Sequence, residues 1–366
     1  MSSLFMLLAL GLLGPLLAWP KRLAMPVAVG EILVGVAFGV SGFNLLDVRD
    51  SAVALIAQVG FALVMMLVGS HISVKETFSS GNLLAALRNI VISVVLALAL
   101  AWVIVKITGI DHLSIYVLIM ASSSAAVVLP MALGKSKPSV HLLVTQVAVA
   151  DLLAIIALPA VMALDKLQEI VVGATVISGC ALVLYFVLAR SARNGSWKAV
   201  RNISRERGFG LELRISLLVL LGLAALAQNF GVSVMIAGFS IGLAISANGV
   251  PHRLAKQLFA VTEGFFAPIF YVALGAAIDF RLVFANGSLL TLALLLAGFG
   301  LLAHLGGMLF GQRFSEAGLS ATALGIPTAV VSIGLTSNAI NSGEAASITL
   351  AMLLSVIMAT VFARRI

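Results

Sequence analysis

The chain has 366 residues, 61% of them hydrophobic and only 10% charged, with a formal net charge of +8. Soluble domains carry roughly a quarter charged residues, so this composition excludes an ordinary soluble protein and predicts a multi-pass membrane protein. The apolar runs are long and uninterrupted, which excludes the alternating segments of a membrane β-barrel and predicts an all-α fold.

Breaks at Gly, Pro and charged residues divide the sequence into about thirteen transmembrane helices of bilayer-spanning length. In chain order we place them at residues 3–19, 25–42, 51–73, 86–107, 113–133, 139–163, 169–190, 214–228, 231–247, 258–278, 287–310, 317–337 and 342–363. The first span lacks basic residues before its apolar core, and Lys21 and Arg22 follow it. We therefore interpret it as a retained helix and not as a cleaved signal peptide.

The loops between these spans alternate in charge. One set is rich in Lys and Arg and includes the polar stretch 190–208, whereas the other set contains most of the loop aspartates. Because positive loops stay in the cytoplasm, we predict a cell (inner) membrane protein with its N-terminus outside and its C-terminus cytoplasmic. We interpret residues 190–208 as an orientation signal and a linker, in preference to a lipid-binding or nucleic-acid-binding segment, and expect no nucleic-acid partner.

Two parts of the sequence resemble each other. "ILVGVAFG" at 32–39 and "MIAGFSIG" at 235–242 pair Gly35 with Gly238 and Gly39 with Gly242, at a displacement of 203 (238 minus 35). The same displacement relates "SAAVV" at 124–128 to "PTAVV" at 327–331. We predict a first six-helix repeat in residues 1–163, a linker helix and basic loop in 164–213, and a second repeat in 214–366. Because the linker helix adds one crossing between the two six-helix repeats, the second repeat has the opposite orientation in the membrane to the first. Inverted repeats are a common plan in secondary transporters.

Two spans at equivalent positions of the repeats combine hydroxyl side chains with a proline. They are "ASSSAAVVLP" at 121–130 and "LGIPTAVVSIG" at 324–334. Proline removes a backbone donor, and unwound backbone within lipid is tolerated where it is buried in protein or lines a cavity. We therefore predict two crossing broken helices. Their candidate ion-coordinating residues are Ser122, Ser123, Ser124, Thr328 and Ser332, although single serines also serve simply as packing residues between membrane helices.

The run "TQVAVADLLAIIALP" at 145–159 places Asp151 near the middle of an apolar span. An ionised carboxylate at the bilayer centre costs about 2.5–3.5 kcal/mol on insertion scales. Protonation or a bound monovalent metal cation would each remove the charge, and one carboxylate cannot hold both. The sequence therefore predicts a secondary transporter that exchanges protons for Na⁺ or K⁺ on Asp151. The structural alternative is an aspartate that caps a broken helix or pairs with a basic residue.

At these residues the sequence resembles the sodium/hydrogen exchanger family, in particular its bacterial monovalent cation:proton antiporter-2 branch. The likeness is carried by "MPVAVGEILVGVAFG" at 25–39, "SSAAVVLP" at 123–130, "VAVADLLAIIALP" at 147–159 and "FFAPIFYVALGAAIDF" at 265–280. The resemblance implies a thirteen-helix homodimer in the lipid bilayer, with a dimer domain and a moving core domain. It indicates no cofactor, and we expect no soluble regulatory domain after the last helix.

The sequence departs from the family pattern at several polar positions. Ala150 stands where the family usually has Asp, Asn or Gln, and Ala125 replaces the threonine of the first broken helix. Residues 328–330 replace the Arg-Gly-Glu of many relatives, and His304 aligns with a lysine found in many members. His304 is a candidate proton carrier or pH-dependent partner of Asp151, or simply a hydrogen-bonding residue. Glu31 is a candidate accessory residue.

These departures keep one alternative function open, the transport of an organic solute or ion on the same architecture. A third possibility is an intramembrane aspartyl protease, which needs two carboxylates that share a proton. The second carboxylate would have to be Asp279, near a helix end in "GAAIDF". That position argues against a protease, and we predict no enzymatic activity.

Overall fold

The computed structural model describes residues 2–19, 25–46, 48, 50–72, 81–132, 137–162, 167–194, 202–204, 206–207, 209–230, 233–249 and 252–366. Every regular element among them is helical, which confirms the all-α prediction. Ten of the described helices are long and apolar enough to cross a membrane, and three shorter apolar helices accompany them. These helices coincide in order with the spans predicted from hydropathy.

The described helices follow one another along the chain. In chain order they are α1a (Ser2–Gly11), α1b (Leu13–Ala18), α2 (Val27–Phe38), α3 (Ser51–His71), α4 (Leu83–Thr108), α5a (Leu113–Ala121), α5b (Ala125–Ala132), α6 (Pro138–Met162), α7 (Leu167–Arg193), α8 (Leu211–Asn229), α9 (Val234–Ala247), α10a (His252–Val261), α10b (Ala267–Ala276), α11 (Gly287–Leu305), α12a (Phe314–Ser320), α12b (Gly325–Ser337) and α13 (Ser342–Ala363). A π-helical turn, Thr262–Phe266, joins α10a to α10b. A short helix, Phe280–Ala285, precedes α11, and a 3₁₀ turn, Gly306–Phe310, extends it.

The chain forms two compact units, and each unit takes segments from both predicted repeats. The first unit comprises Met1–Leu8, Val48–Glu76 and Asp165–Tyr271, and the second comprises Ala9–Asp47, Thr77–Leu164 and Val272–Ile366. The first has an apolar core of α3 and α7–α10a that includes Leu63, Met66, Ile177, Leu220 and Ile241. In the second unit a core joins α5b, α6, α12a and α13 through Val128, Leu143, Val147, Leu319 and Phe362.

In the first unit, α9 packs directly on the backbone of α3. Gly242 faces the main chain of Met66 and Ser70, where an added Cβ would overlap the backbone. One turn further along α9, the Ser246 hydroxyl donates a hydrogen bond to the carbonyl of Ile72, at 2.5 Å. Small residues allow membrane helices to approach this closely.

In the second unit, α2 and the residues that follow it make similar contacts with α10b and the residues that follow α10b. Gly35 faces the main chain of Val272 and Ala276, and the Ser41 hydroxyl donates to the carbonyl of Ile278 at 2.5 Å. The contacts therefore make Gly35 equivalent to Gly242, a displacement of 207 (242 minus 35), and not to Gly238 as the sequence match predicts. A Gly-x-x-x-Gly pattern matches itself one helical turn out of register, so letters alone do not fix the repeat.

Candidate functional site

Two helices of the second unit are interrupted near their middle. The main chain leaves helical geometry at residues 122–124, between α5a and α5b, and at residues 321–324, between α12a and α12b. Pro130 lies inside α5b, and Pro327 lies in the first turn of α12b, where its missing N–H is harmless. The breaks are thus present as predicted, but the unwound residues precede the prolines.

Asp151 lies on α6 beside the first break, and its side chain is 3% exposed. Its Oδ2 accepts a hydrogen bond from the backbone N–H of Ala125, at 3.0 Å. Ala125 is the first residue of α5b. The free N–H groups and the positive end of the dipole at a helix N-terminus favour a carboxylate there. The broken helix therefore supplies a neutral stabilising group for a charge that the bilayer disfavours.

Ser355 on α13 occupies the equivalent position at the second break. Its Oγ accepts from the N–H of Ala323 at 3.3 Å and lies 3.1 Å from the Ala323 carbonyl. Asp151 and Ser355 are separated by 204 residues (355 minus 151), one more than the displacement of 203 found in the sequence. Each break thus has a side chain from the next helix bound to its backbone, a carboxylate at the first and a hydroxyl at the second. Sequence reasoning missed Ser355, although counting one repeat from Asp151 leads to its neighbour.

His304 on α11 is 2% exposed, and its Nδ1 lies 3.1 Å from the Ser320 hydroxyl at the end of α12a. That hydroxyl gives its one hydrogen to the carbonyl of Ala317, at 2.8 Å. Ser320 must therefore accept from His304, so Nδ1 carries the hydrogen in the neutral ring. The buried Nε2 has no hydrogen-bond partner among the described residues. The ring also lies near the main chain of Met120 and Ser122, at the end of α5a.

The three serines of the first break have different surroundings. The Ser123 hydroxyl donates to the carbonyl of Ser320 at 2.6 Å, which joins the two breaks. The Ser122 hydroxyl donates within its own helix, to Ile119 at 2.8 Å. Ser124 contributes its carbonyl to the first turn of α5b. Ser123 is therefore the serine that connects the broken helices.

The other predicted residues are Thr328, Ser332 and Glu31, and their described contacts are with residues other than Asp151. The Thr328 hydroxyl donates to the Met352 sulfur at 3.3 Å. Ser332 lies half-buried on α12b, one turn before the Thr336 hydroxyl that donates to its carbonyl. Glu31 is buried on α2, against Gly14 of α1b. None of the hydrogen bonds described for these three residues reaches Asp151.

A small cavity adjoins the second break. It is lined at the break by Ala321, Ala323, Pro327 and Ser355, and its volume of about 20 Å³ is enough for about one water molecule. The Ser355 hydroxyl is the one side-chain hydroxyl among the described residues that line the cavity, and most of the rest of the lining is apolar.

Comparisons with known proteins find similar transport proteins. A family model described as "Sodium/hydrogen exchanger, transmembrane" matches residues 7–366. The chain is 26% identical over 316 residues to YjbQ of Bacillus subtilis, which covers 81% of this chain and 50% of that protein. It is 24% identical over 305 residues to the "Na(+)/H(+)-K(+) antiporter GerN" of Bacillus cereus, covering 80% of this chain and 75% of GerN. The chain therefore spans about half the length of YjbQ.

A solved structure has the same fold. The sodium proton antiporter MjNhaP1 from Methanocaldococcus jannaschii, determined at pH 8, superimposes with a TM-score of 0.58 and 18% identity. The match covers 98% of this chain and 92% of that chain. The similarity extends over nearly all of both chains, so it concerns the complete helical architecture.

Proposed function

This chain belongs to the sodium/hydrogen exchanger family, a family of multi-pass membrane transporters, and we propose that it exchanges protons for a monovalent cation, Na⁺ or K⁺. Asp151 would bind the proton and the cation in turn. The observation that carries this proposal is that the Asp151 carboxylate is buried and has no basic partner among the described ion pairs. Its contact with the N-terminus of α5b, which the structural alternative also predicts, holds the carboxylate beside the break. The one hydrogen bond described for this carboxylate comes from a neutral backbone N–H. A bound proton or cation could therefore neutralise its charge.

Charge conservation sets the stoichiometry of such a site. The carboxylate is neutralised once, by H⁺ or by one monovalent cation, so both loaded states carry the same net charge. The equivalent group at the second break is the uncharged Ser355, which adds no charge to either state. One cation should therefore exchange for one proton without net charge movement.

His304 would act as an accessory group. Its ring lies beside the main chain of Met120 and Ser122 at the C-terminal end of α5a, where helix carbonyls favour positive charge. A proton on Nε2 would place a positive charge near both breaks and oppose cation binding there. We propose that His304 is a pH-dependent partner of the site, whereas Asp151 is the exchanging group.

The experiment compares two Asp→Asn variants in proteoliposomes. Asp151→Asn keeps an oxygen that can accept from the Ala125 N–H but removes the titratable charge, so cation-driven proton movement should be lost. Asp279→Asn is the matched control, because Asp279 caps a short helix through the N–H of Arg281 at 3.1 Å, and Asn caps equally well. Full exchange by folded Asp151→Asn would exclude Asp151 as the carrier.

We also propose a membrane location, an orientation and an oligomeric state for this chain. The alternation of basic and acidic loops supports a cell (inner) membrane location with the N-terminus outside and the C-terminus in the cytoplasm. We propose a homodimer in the lipid bilayer. A fluorescent protein fused after Ile366 should fluoresce in cells, and crosslinking in native membranes should trap two copies.

A further inference from the structure

Three buried primary amides meet in the second unit. Gln146 Oε1, on α6, accepts hydrogen bonds from Asn89 Nδ2 on α4 and from Gln312 Nε2 after the 3₁₀ turn, each at 3.1 Å. Asn89 and Gln146 are each 1% exposed, and Gln312 is 6% exposed. We call them the amide cluster.

The cluster leaves half of its polar atoms without a protein partner. Asn89 Oδ1, Gln146 Nε2 and Gln312 Oε1 are buried and make no hydrogen bond among the described residues. Buried polar atoms are almost always paired, with protein or with water. A water molecule donates two hydrogen bonds and accepts others, which suits two carbonyl oxygens and one amide N–H. Turning all three amides over leaves two NH₂ groups and one oxygen, and a water molecule can accept one hydrogen bond from each NH₂ group and donate one to the oxygen.

The local chain is built to bring Gln312 into this position. Gly311 adopts a left-handed conformation with φ of 85°, and the Gln312 N–H donates to the carbonyl of Gly307 at 3.2 Å. Gly307 leaves the space that the Gln312 amide oxygen occupies, because a Cβ there would overlap it. Gly311 and Arg313 are exposed, so the amide cluster lies one residue from the surface of its unit.

The cluster also lies close to the level of Asp151. Gln146 precedes Asp151 by five residues on α6, about 7.5 Å along the helix axis. On α4, Ile90 packs against Val149 and Ala150. Ser93, one turn beyond Asn89, is buried and donates to the Asn89 carbonyl at 2.9 Å. Asn89 and Ser93 therefore place two neutral polar side chains one turn apart on α4, and Ser93 is the nearer of the two to the level of Asp151.

We propose that the amide cluster holds water and conducts protons between Asp151 and the surface at Gly311–Arg313, while the cation reaches Asp151 by another route. This inference rests on the proposed function. A proton moves along water by forming one O–H bond as the next breaks, so no protein group has to titrate. An alkali cation would need several oxygen ligands in place of its hydration shell, and the cluster offers at most two unpaired oxygens.

The test separates two exchange modes in proteoliposomes. Exchange of radiolabelled Na⁺ for Na⁺ at equal pH needs no proton, whereas Na⁺/H⁺ exchange does; radiolabelled Rb⁺ replaces Na⁺ if wild type carries K⁺. Gln146→Leu keeps the side-chain volume but removes the amide, and should slow Na⁺/H⁺ exchange about tenfold while leaving Na⁺/Na⁺ exchange unchanged. Thr349→Val is the control, because that buried hydroxyl bonds only within α13, to Ala345 at 2.8 Å.

A second variant tests the same prediction in case Gln146→Leu does not fold. Gly307→Ala should displace the Gln312 amide without altering α4 or α6, and should show the same selective loss. Equal loss of both exchange modes in the folded variants would mean that the amide cluster only supports the fold or carries the cation. Wild-type rates in both modes would mean that the cluster has no role in transport. Either result overturns the inference. If the proposed function itself is wrong, wild type will show neither mode or Asp151→Asn will retain both.

Discussion

At the scale of single residues, the site contrasts two side chains in equivalent positions. Asp151 accepts from the N–H of Ala125, and Ser355 accepts from the N–H of Ala323. Both contacts satisfy a backbone donor that unwinding has freed, so they serve the fold in the same way. They differ in charge, and only the carboxylate gains or loses a charge when an ion binds.

Ser355→Asp should therefore change the stoichiometry. A second carboxylate at the second break would add a second proton-binding group, and two protons could then move for each cation. Exchange would carry net charge, so an inside-negative potential should accelerate inward proton movement, whereas wild type should not respond. The measurement is proton flux in proteoliposomes with and without an imposed potential.

Ser355→Asn is the appropriate comparison, since it adds a polar group of similar size without charge. If Ser355→Asp is active and remains insensitive to voltage, Ser355 is not the counterpart of Asp151.

At the scale of helices, close backbone contact distinguishes the glycines that the fold requires from those that it tolerates. Gly242 on α9 lies against the main chain of Met66 and Ser70, which cannot move aside as a flexible side chain would. Gly222 on α8 is exposed, and an added Cβ would meet nothing within 4 Å. The same substitution should therefore have opposite effects at the two positions.

We expect Gly242→Ala to destabilise the protein by about 1–3 kcal/mol, because the helices must separate to admit a methyl group. Gly222→Ala should be neutral or stabilise it by up to about 1 kcal/mol through helix propensity. Thermal unfolding of both variants in detergent measures the difference. Equal midpoints would show that α3 and α9 are not in the close contact described.

The helices themselves could be predicted from the sequence, since each crossing of lipid requires a continuous apolar run. The two breaks were also predictable from the sequence, but their exact positions were not. The prediction rested on the prolines, whereas Pro130 and Pro327 lie within helices and the residues before them unwind. The register of the repeat was not predictable, since Gly35 matches Gly238 and Gly242 nearly equally well. Backbone contacts with α10b and α3 decide it.

At the scale of the whole molecule, a lone buried charge can be singled out from the sequence and a cluster of neutral polar groups cannot. Asp151 could be selected as a candidate from the sequence because a lone carboxylate in an apolar span is expensive. The amide cluster could not, because Asn and Gln occur in membrane helices for many reasons and these three meet only in the folded chain. Gln146 and Gln312, for example, are 166 residues apart.

The exchange cycle as a whole makes one further prediction, about pH. If H⁺ and the cation compete for Asp151, lowering the pH fills the carboxylate with protons and weakens cation binding. Where most Asp151 carboxylates are protonated, the cation concentration for half-maximal exchange should then rise by up to about tenfold for each unit of pH decrease. At a pH high enough to deprotonate Asp151 without the cation, that concentration should become independent of pH. The maximal rate at saturating cation should change less, because excess cation displaces the proton. Initial rates in proteoliposomes, measured over a grid of pH and cation concentration, test this directly. A half-maximal concentration that stays constant while the maximal rate alone responds to pH would show that the two ions do not share Asp151.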